Sequence, residues 1–275
     1  MIPIIKWAGG KRKLSPTIAS FLGSDYNGYF EPFAGGAAVL FFLEPKNAVC
    51  FDINKELINF YNTVKDYPQE LADELETNFY PNHSKDFYYE VREWDRIDGF
   101  SNIPAIKRAA RFAYLNKCCY NGLWRENSAG QNNVPWGYYN SPAFITREQI
   151  TMVSNYFVSK NVRFVIEDYK EVTKVARRGD LVYFDPPYDV EEGINGFVGY
   201  SANGFGHEQQ IELKAICDLL IKKGVKVAIS NSCTKFIKEL YADKRYVINI
   251  LNVQRNIGAS VESRKEYEEV LIIGE

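Results

Sequence analysis

Asp185-Pro186-Pro187-Tyr188 sets a carboxylate, two prolines and a phenol ring in four consecutive positions. The prolines lock φ and carry no N–H, so the backbone is stiff and its carbonyls are open to accept. The apolar residues 181–184 just before them read as a strand. That puts the group at a carboxyl end, where open α/β sheets bind ligands. A carboxylate, a bare carbonyl and a ring in one small space suit a planar ligand bearing an amino group. The acceptors take its two N–H bonds and the ring stacks on its face. The plain alternative is a proline-stiffened turn with a packed tyrosine.

Glu31-Pro32-Phe33-Ala34-Gly35-Gly36 is a second candidate, because glycines allow a ligand close to the backbone. Asp52 follows at the end of the next short apolar stretch, 17 residues past Gly35, near the usual position of a ribose-binding acid. The full G-x-G-x-x-G fingerprint is absent, which disfavours a pyrophosphate and NAD and points to S-adenosylmethionine. Lys6-Trp7-Ala8-Gly9-Gly10-Lys11 offers cations, an indole and glycines that could close over a charged nucleoside, or simply cap a helix. Tyr120-Asn121-Gly122-Leu123-Trp124-Arg125 and Asn132-Asn133-Val134-Pro135-Trp136-Gly137 combine the residues that read and stack on bases. They could equally form a small hydrophobic core under a loop.

The elements that must position these groups follow an α/β pattern. Residues 11–22 read as a helix, 29–33 as a strand, 37–43 as an apolar helix and 48–51 as a buried strand. Helices are expected around 71–79, 86–94 and 104–119, and no convincing buried strand lies between Asp52 and Arg163. Residues 120–139 lack periodicity. Strands resume at 163–167, 181–184 and 226–229, with a helix at 208–222. Two further strands, 246–251 and 266–273, are close enough in sequence to pair antiparallel. The economical reading is a single α/β sheet domain with a helical insertion near 57–145.

With 275 residues, 46% hydrophobic, 15% aromatic and 25% charged, the chain is neither disordered nor fibrous. Its longest apolar run, 37–43, is too short for a membrane span, and the N-terminus does not read as a signal peptide. The five cysteines show no CxxC spacing, so no disulfide framework and no metal site is expected, and a reducing cytoplasm fits. The net charge of −2 hides segregation. Residues 1–24 carry Lys6, Lys11, Arg12 and Lys13 and no acid, while ten acids crowd into 66–100. Residues 105–145 carry Lys107, Arg108, Arg111, Lys117 and Arg125 against Glu126 alone. Such segregation can leave a basic groove on a neutral protein.

Taken together and in this order, K-W-A-G-G-K, E-P-F-x-G-G, D-I-N, Y-N-G-L-x-R with N-V-P-x-G, and D-P-P-Y resemble the Dam-type DNA adenine-N6 methyltransferases of the alpha group, which typically methylate GATC. The resemblance covers nearly the whole chain. It implies a Rossmann-like S-adenosylmethionine-dependent methyltransferase sheet with a C-terminal antiparallel strand pair. The catalytic domain would comprise 1–56 and 146–275, and 57–145 would be an inserted, mainly helical target-recognition domain. It implies that Trp7, Lys11, Asp52 and Ile53 contact the cofactor, Asp52 through the ribose. Phe33 and Gly35 would line its methionine end and Asp168 would approach its adenosine. Asp185 would sit between cofactor and substrate, and Tyr188 would stack on an extruded adenine. Lys6 and Arg125 would read guanines, Tyr120 and Asn121 would fill the space the base leaves, and Leu123 and Pro135 would touch thymine methyls. Ala37 stands where many relatives have a third glycine, a change expected to matter little.

The expected partner is double-stranded DNA, with a cognate restriction endonuclease as a possible companion and no membrane. Hydrogen bonds from the amino group to Asp185 and to the Pro186 carbonyl would develop the nitrogen lone pair for in-line attack on the sulfonium methyl, without a metal. Three other readings stand beside this one: cytosine-N4 methylation, usually with Ser in place of Asp185; glutamine methylation of protein, usually with Asn there; and a catalytically silent DNA-binding regulator.

Overall fold

The structure, a computed structural model, describes residues 1–190, 204–253 and 267–275. In chain order its elements are α1 (Ser15–Leu22), β1 (Tyr29–Glu31), α2 (Ala38–Leu43), β2 (Ala48–Asp52), α3 (Lys55–Asp66), α4 (Pro68–Glu74), α5 (Lys85–Glu93), α6 (Ala105–Cys118) and α7 (Arg147–Ser159). There follow β3 (Arg163–Ile166), α8 (Val172–Val175), β4 (Leu181–Phe184), α9 (His207–Lys222), β5 (Lys226–Ser232), α10 (Lys235–Leu240), β6 (Tyr246–Val253) and β7 (Tyr267–Gly274). The chain divides into two compact units, Met1–Pro16 with Ala34–Glu167, and Thr17–Phe33 with Asp168–Glu275.

In the first unit, β2 runs parallel to β3, Val49 opposite Arg163 and Asp52 opposite Ile166. The first four residues of β2 are buried, as expected for a strand covered on both faces. α3 starts at the Asn54 cap, whose side chain accepts from the Leu57 N–H at 3.0 Å. It buries Leu57, Ile58, Phe60, Tyr61 and Val64 and packs on α6 and α7. Ala109, Ala110 and Ala113 of α6 are fully buried, and such small residues allow close helix contact. Tyr61 stacks on Phe164 at 4.4 Å, joining the helices to the strands. α7 opens with a capping box, the Thr146 hydroxyl and Gln149 amide each satisfying the other's backbone N–H.

In the second unit the strand order is β1-β4-β5-β7-β6. β1, β4 and β5 are parallel, with Tyr29 opposite Leu181 and Phe184 opposite Ile229. β7 is antiparallel to both β5 and β6. All four residues of β4 are buried, so the sheet delivers Asp185 at the end of a strand with no slack.

The expected antiparallel final pair is present as β6 and β7; the expected start at Glu266 lies outside the described residues. β5 runs on to Ser232 because its ladder with β7 continues to Ser232 opposite Glu269. α1 begins at Ser15 and not at residue 11: the Lys11 carbonyl takes the N–H groups of Leu14 and Ser15 in a turn that leads into it. The helix expected around 71–79 is α4 passing into a π-turn, Leu75–Phe79. α3, α7, α8 and α10 were not anticipated. Ala37 holds φ 51° before α2, a left-handed conformation that costs a residue with a Cβ about 1–2 kcal/mol. The missing third glycine therefore matters more than its small size suggested. Among the described residues no helix is long and apolar enough to cross a membrane.

Candidate active site and base-reading loop

Asp185 leaves β4 half-buried and is followed by buried Pro186. The next carbonyl, of Pro187, accepts from the Gln210 amide at 3.0 Å. Tyr188 donates its hydroxyl to Glu269 Oε2 at 2.7 Å. Burial, then the nearby Asp185 charge, push the Tyr188 phenol well above its ordinary pKa, so it stays neutral. In the same unit Phe33 stacks on Tyr169 at 5.0 Å and meets Phe205 edge-on at 5.7 Å and Phe184 at 6.4 Å. Phe33 thus belongs to an aromatic wall in which Phe184, immediately before Asp185, also takes part. Asp168 is exposed and caps the short turn Tyr169–Glu171, accepting from the Lys170 N–H at 3.0 Å.

The first unit gathers Trp7, Gly35 and Asp52. Asp52 Oδ2 accepts from the Gly35 N–H at 3.0 Å and Oδ1 from the Asn54 N–H at 2.9 Å. Burial raises the Asp52 pKa, and these backbone donors pull against it. A carboxylate has about four acceptor sites, so two backbone bonds orient this one and leave room for the paired hydroxyls of a ribose. The residues fit the nucleoside of S-adenosylmethionine in this respect. A Cβ on Gly35, at φ +45°, would lie 2.7 Å from the Trp7 indole. The close approach that the glycine permits is thus made by Trp7. Tyr61 adds a hydrogen bond to the Gly35 carbonyl at 3.0 Å. Lys11 is buried, with its ammonium on the Gly9 carbonyl at 2.6 Å. Ile53 is 75% exposed beside Asp52.

The 120–136 loop, the candidate base reader, lies in this unit too. Lys6 is exposed, but its backbone is gripped by Asn116 at the end of α6: Lys6 N–H donates to Oδ1 at 3.0 Å, and Nδ2 donates to the Lys6 carbonyl at 2.7 Å. The Lys6 stem lies against Gly122, where φ is +65° and a Cβ would collide with it, and its ammonium sits 5.4 Å over the Tyr139 ring. Asn121 precedes at φ 55°, exposed. Tyr120 is 52% exposed and its N–H donates to the Pro135 carbonyl at 2.9 Å. Leu123 and Pro135 are exposed. Arg125 Nε donates to Asn133 Oδ1 at 2.6 Å, leaving its terminal nitrogens without a partner among the described residues. Lys6 and Arg125 share no contact among the described residues; each is held separately.

The charge count along the chain overstated the basic face. Arg111 is 1% exposed and bound to Asp95 at 2.7 Å, and Arg108 pairs with Glu56 at 2.9 Å. Neither is a surface cation. Asp95 also accepts from the Asn132 N–H at 2.8 Å, while Arg96 donates to the Asn132 carbonyl at 2.6 Å. This cluster anchors the Asn132–Pro135 arm, and the sequence reading missed it. One signal was available: Arg111 sits between apolar residues on a helix whose other neighbours there are alanines and phenylalanine. Lys117 is different. Burial and the adjacent Lys6 charge lower its pKa to about 8, and no described acid pairs with it.

The strand-borne Asp52 that meets the glycine turn, and the proline-stiffened turn after β4, each lie at the carboxyl end of a parallel strand, where open α/β sheets bind ligands. The family model described as D12 class N6 adenine-specific DNA methyltransferase matches residues 7–257, and the chain belongs to this family. It is 39% identical over 270 residues to the type II methyltransferase M1.LlaDCHI of Lactococcus lactis, covering 98% of this chain and 94% of that one. It is 34% identical to the type II methyltransferase M.MjaIII of Methanocaldococcus jannaschii, covering 96% and 95%. It is 32% identical to the DNA adenine methylase of Escherichia coli, covering 98% and 94%. The protein is an adenine-specific DNA methyltransferase with S-adenosylmethionine as methyl donor, which sets aside the cytosine, glutamine and silent-regulator readings.

Proposed function

We propose that the enzyme methylates the adenine of a short duplex site, GATC, after extruding that base from the helix. The observation that carries the reading is the Asp185–Tyr188 turn, with an acceptor carboxylate, stiff prolines and a neutral ring held at the end of β4. Asp185 and the Pro186 carbonyl would accept the two N–H bonds of the adenine amino group, and Tyr188 would stack on the ring. Such bonds favour a pyramidal nitrogen with a developed lone pair. Bound S-adenosylmethionine supplies an electrophilic sulfonium methyl. Asp52 would hold its ribose, with Trp7, Lys11, Gly35 and Ile53 around it, while Phe33 and Asp168 would line the rest of the cofactor site. A buried amino group cannot be reached inside the duplex, so extrusion is required, at a few kcal/mol.

Residues 57–145 are read as the target-recognition insertion in a catalytic domain of 1–56 and 146–275. Lys6 and Arg125 would grip guanines, Tyr120 and Asn121 would occupy the vacated space, and Leu123 and Pro135 would meet thymine methyls. Support comes from the exposure of these side chains above firmly bonded backbone. GATC is the site that the resemblance to the Dam-type family implies. A cognate endonuclease is the proposed companion and the cytoplasm the proposed place of action. The test is transfer of labelled methyl to duplexes varied one base pair at a time, with the modified base identified by mass spectrometry. Methyladenine confined to GATC is expected. Equal rates on sites altered at either guanine would overturn the specificity, and methylation without fluorescence change from an adenine analogue at the target position would overturn extrusion.

A further inference from the structure

The exit of the Asp185–Tyr188 turn is held by one buried side chain, Asp189, only 6% exposed. Its Oδ1 lies 3.1 Å from His207 Nε2 and its Oδ2 accepts from the Thr234 hydroxyl at 2.6 Å. Its backbone is held as well: the N–H donates to Asn231 Oδ1 at 3.0 Å, and the carbonyl accepts from Ser232 Oγ at 2.6 Å. Asn231 Nδ2 in turn donates to Gln210 Oε1 at 3.0 Å, and Gln210 Nε2 returns to the Pro187 carbonyl. Gln210 and Asn231 are completely buried. A closed ring of hydrogen bonds thus runs from Pro187 through α9 and β5 back to Asp189.

The partners come from different elements. His207 is the first residue of α9, with Gln210 on the same face three positions on, so α9 holds the turn at two points. Thr234 caps α10, accepting from the Ile237 N–H at 3.2 Å. The His207 ring stacks on Phe236 of α10 at 3.8 Å, which fixes the imidazole against Asp189. With φ locked at Pro186 and Pro187, and hydrogen bonds on the Pro187 carbonyl, the Tyr188 hydroxyl and both backbone groups of Asp189, little freedom is left along the segment from Asp185 to Asp189. A displacement at Asp189 is therefore carried to the Tyr188 ring and the Pro186 carbonyl rather than absorbed between them.

We propose that Asp189 is a positioning residue for methyl transfer: by binding His207, Thr234 and β5 at once it sets the angle at which Tyr188 and the Pro186 carbonyl meet the substrate. This rests on the reading that the Asp185–Tyr188 turn carries the reaction. Asp189 contacts neither reactant; it acts through the turn. A purely structural role would lower folded stability and cofactor affinity together. A positioning role lowers the transfer step with binding intact.

The experiment uses the full-length enzyme with S-adenosylmethionine and a duplex bearing one GATC, under single turnover at saturation of both. Asp189→Ala is expected to slow transfer by about 10²-fold, the cost of roughly an ångström of misplacement, and His207→Phe by about tenfold. His207→Phe keeps a ring on Phe236 and removes only the donor, so it tests the clamp even if Asp189→Ala fails to fold. Cofactor Kd by calorimetry and duplex Kd should stay within about twofold of wild type in both. The double variant should be no slower than Asp189→Ala, because both changes break one clamp. An unchanged single-turnover rate in His207→Phe, or a loss matched by the loss in cofactor affinity, overturns the proposal. Asp185→Ala is run alongside. If it too transfers at the wild-type rate, the reading of the turn itself has failed; if it alone is slow, only the clamp has.

Discussion

The Asp185–Asp189 turn and the Tyr120–Trp136 loop both carry candidate functional side chains on irregular backbone, and they are built in opposite ways. In the turn the side chains themselves are tied down: Tyr188 to Glu269, Asp189 to His207 and Thr234. In the loop the backbone is tied down and the tips are left open. Asn116 grips the Lys6 backbone, the Asp95–Arg111–Arg96 cluster grips Asn132, and Tyr120, Leu123 and Arg125 stay exposed. The difference follows from what each must meet. A transition state rewards atoms held within a fraction of an ångström before the substrate arrives. A DNA groove presents its own donors and acceptors, and a reading side chain must still turn to find them.

If the loop depends on a rigid base, the largest effect should come from that base. Asp95→Ala leaves the buried Arg111 guanidinium without its carboxylate and should cost about 3–5 kcal/mol of stability, read by denaturant unfolding. A loss below about 1 kcal/mol would mean that the arm is held by packing instead. In the turn, Asp185→Ala should leave a folded protein with transfer slowed about 10²–10³-fold at saturating substrates. Turnover near wild type would place the chemistry elsewhere.

Asp52→Ala should weaken S-adenosylmethionine binding by roughly 1.5–3 kcal/mol in calorimetry, the worth of a charged hydrogen bond. Unchanged affinity in the folded variant would remove Asp52 from the ribose. Among the open tips, Arg125→Ala should lose about 1–3 kcal/mol of discrimination at one guanine while other positions keep theirs. A uniform weakening on all duplexes, with a shallower salt dependence, would make Arg125 a phosphate contact and leave Lys6 as the reader.

The smallest effect concerns Lys117, at the root of the loop, with its pKa lowered to about 8 by burial and the Lys6 charge. The unfolded chain binds this proton up to about pH 10 and the folded chain releases it near 8. Stability should therefore rise with pH between those values, and Lys117→Met should flatten the rise in unfolding curves taken across that window. A rise of equal slope in the variant would assign it to another group.

The Asp185–Tyr188 turn was legible in the residues because it is encoded locally. Asp185 to Tyr188 are consecutive, and prolines constrain backbone in any context. β4 and β2 were legible as apolar runs that end in an acid, and the β6–β7 pair as two runs close in sequence. α3, α7, α8 and α10 were not read, although α3 and α7 begin at good capping residues, Asn54 and Thr146. Arg111 was counted toward a basic groove that the segregation could leave, because its acid is 16 residues away and one turn of helix alone does not say which face is covered.

The sequence by itself determined the family, and with it adenine-N6 methyl transfer from S-adenosylmethionine, and the order in which the chain supplies its motifs. The motifs depend on residue identity and on stiffness over a few bonds. Only the tertiary structure decided what holds their residues. Glu269 reaches Tyr188 across 81 residues, Thr234 reaches Asp189 across 45, and Asn116 reaches Lys6 across 110. Partners so distant leave no periodicity or spacing in the chain, because it is the pairing of strands and packing of helices, driven by burial of apolar surface, that brings them within hydrogen-bond reach.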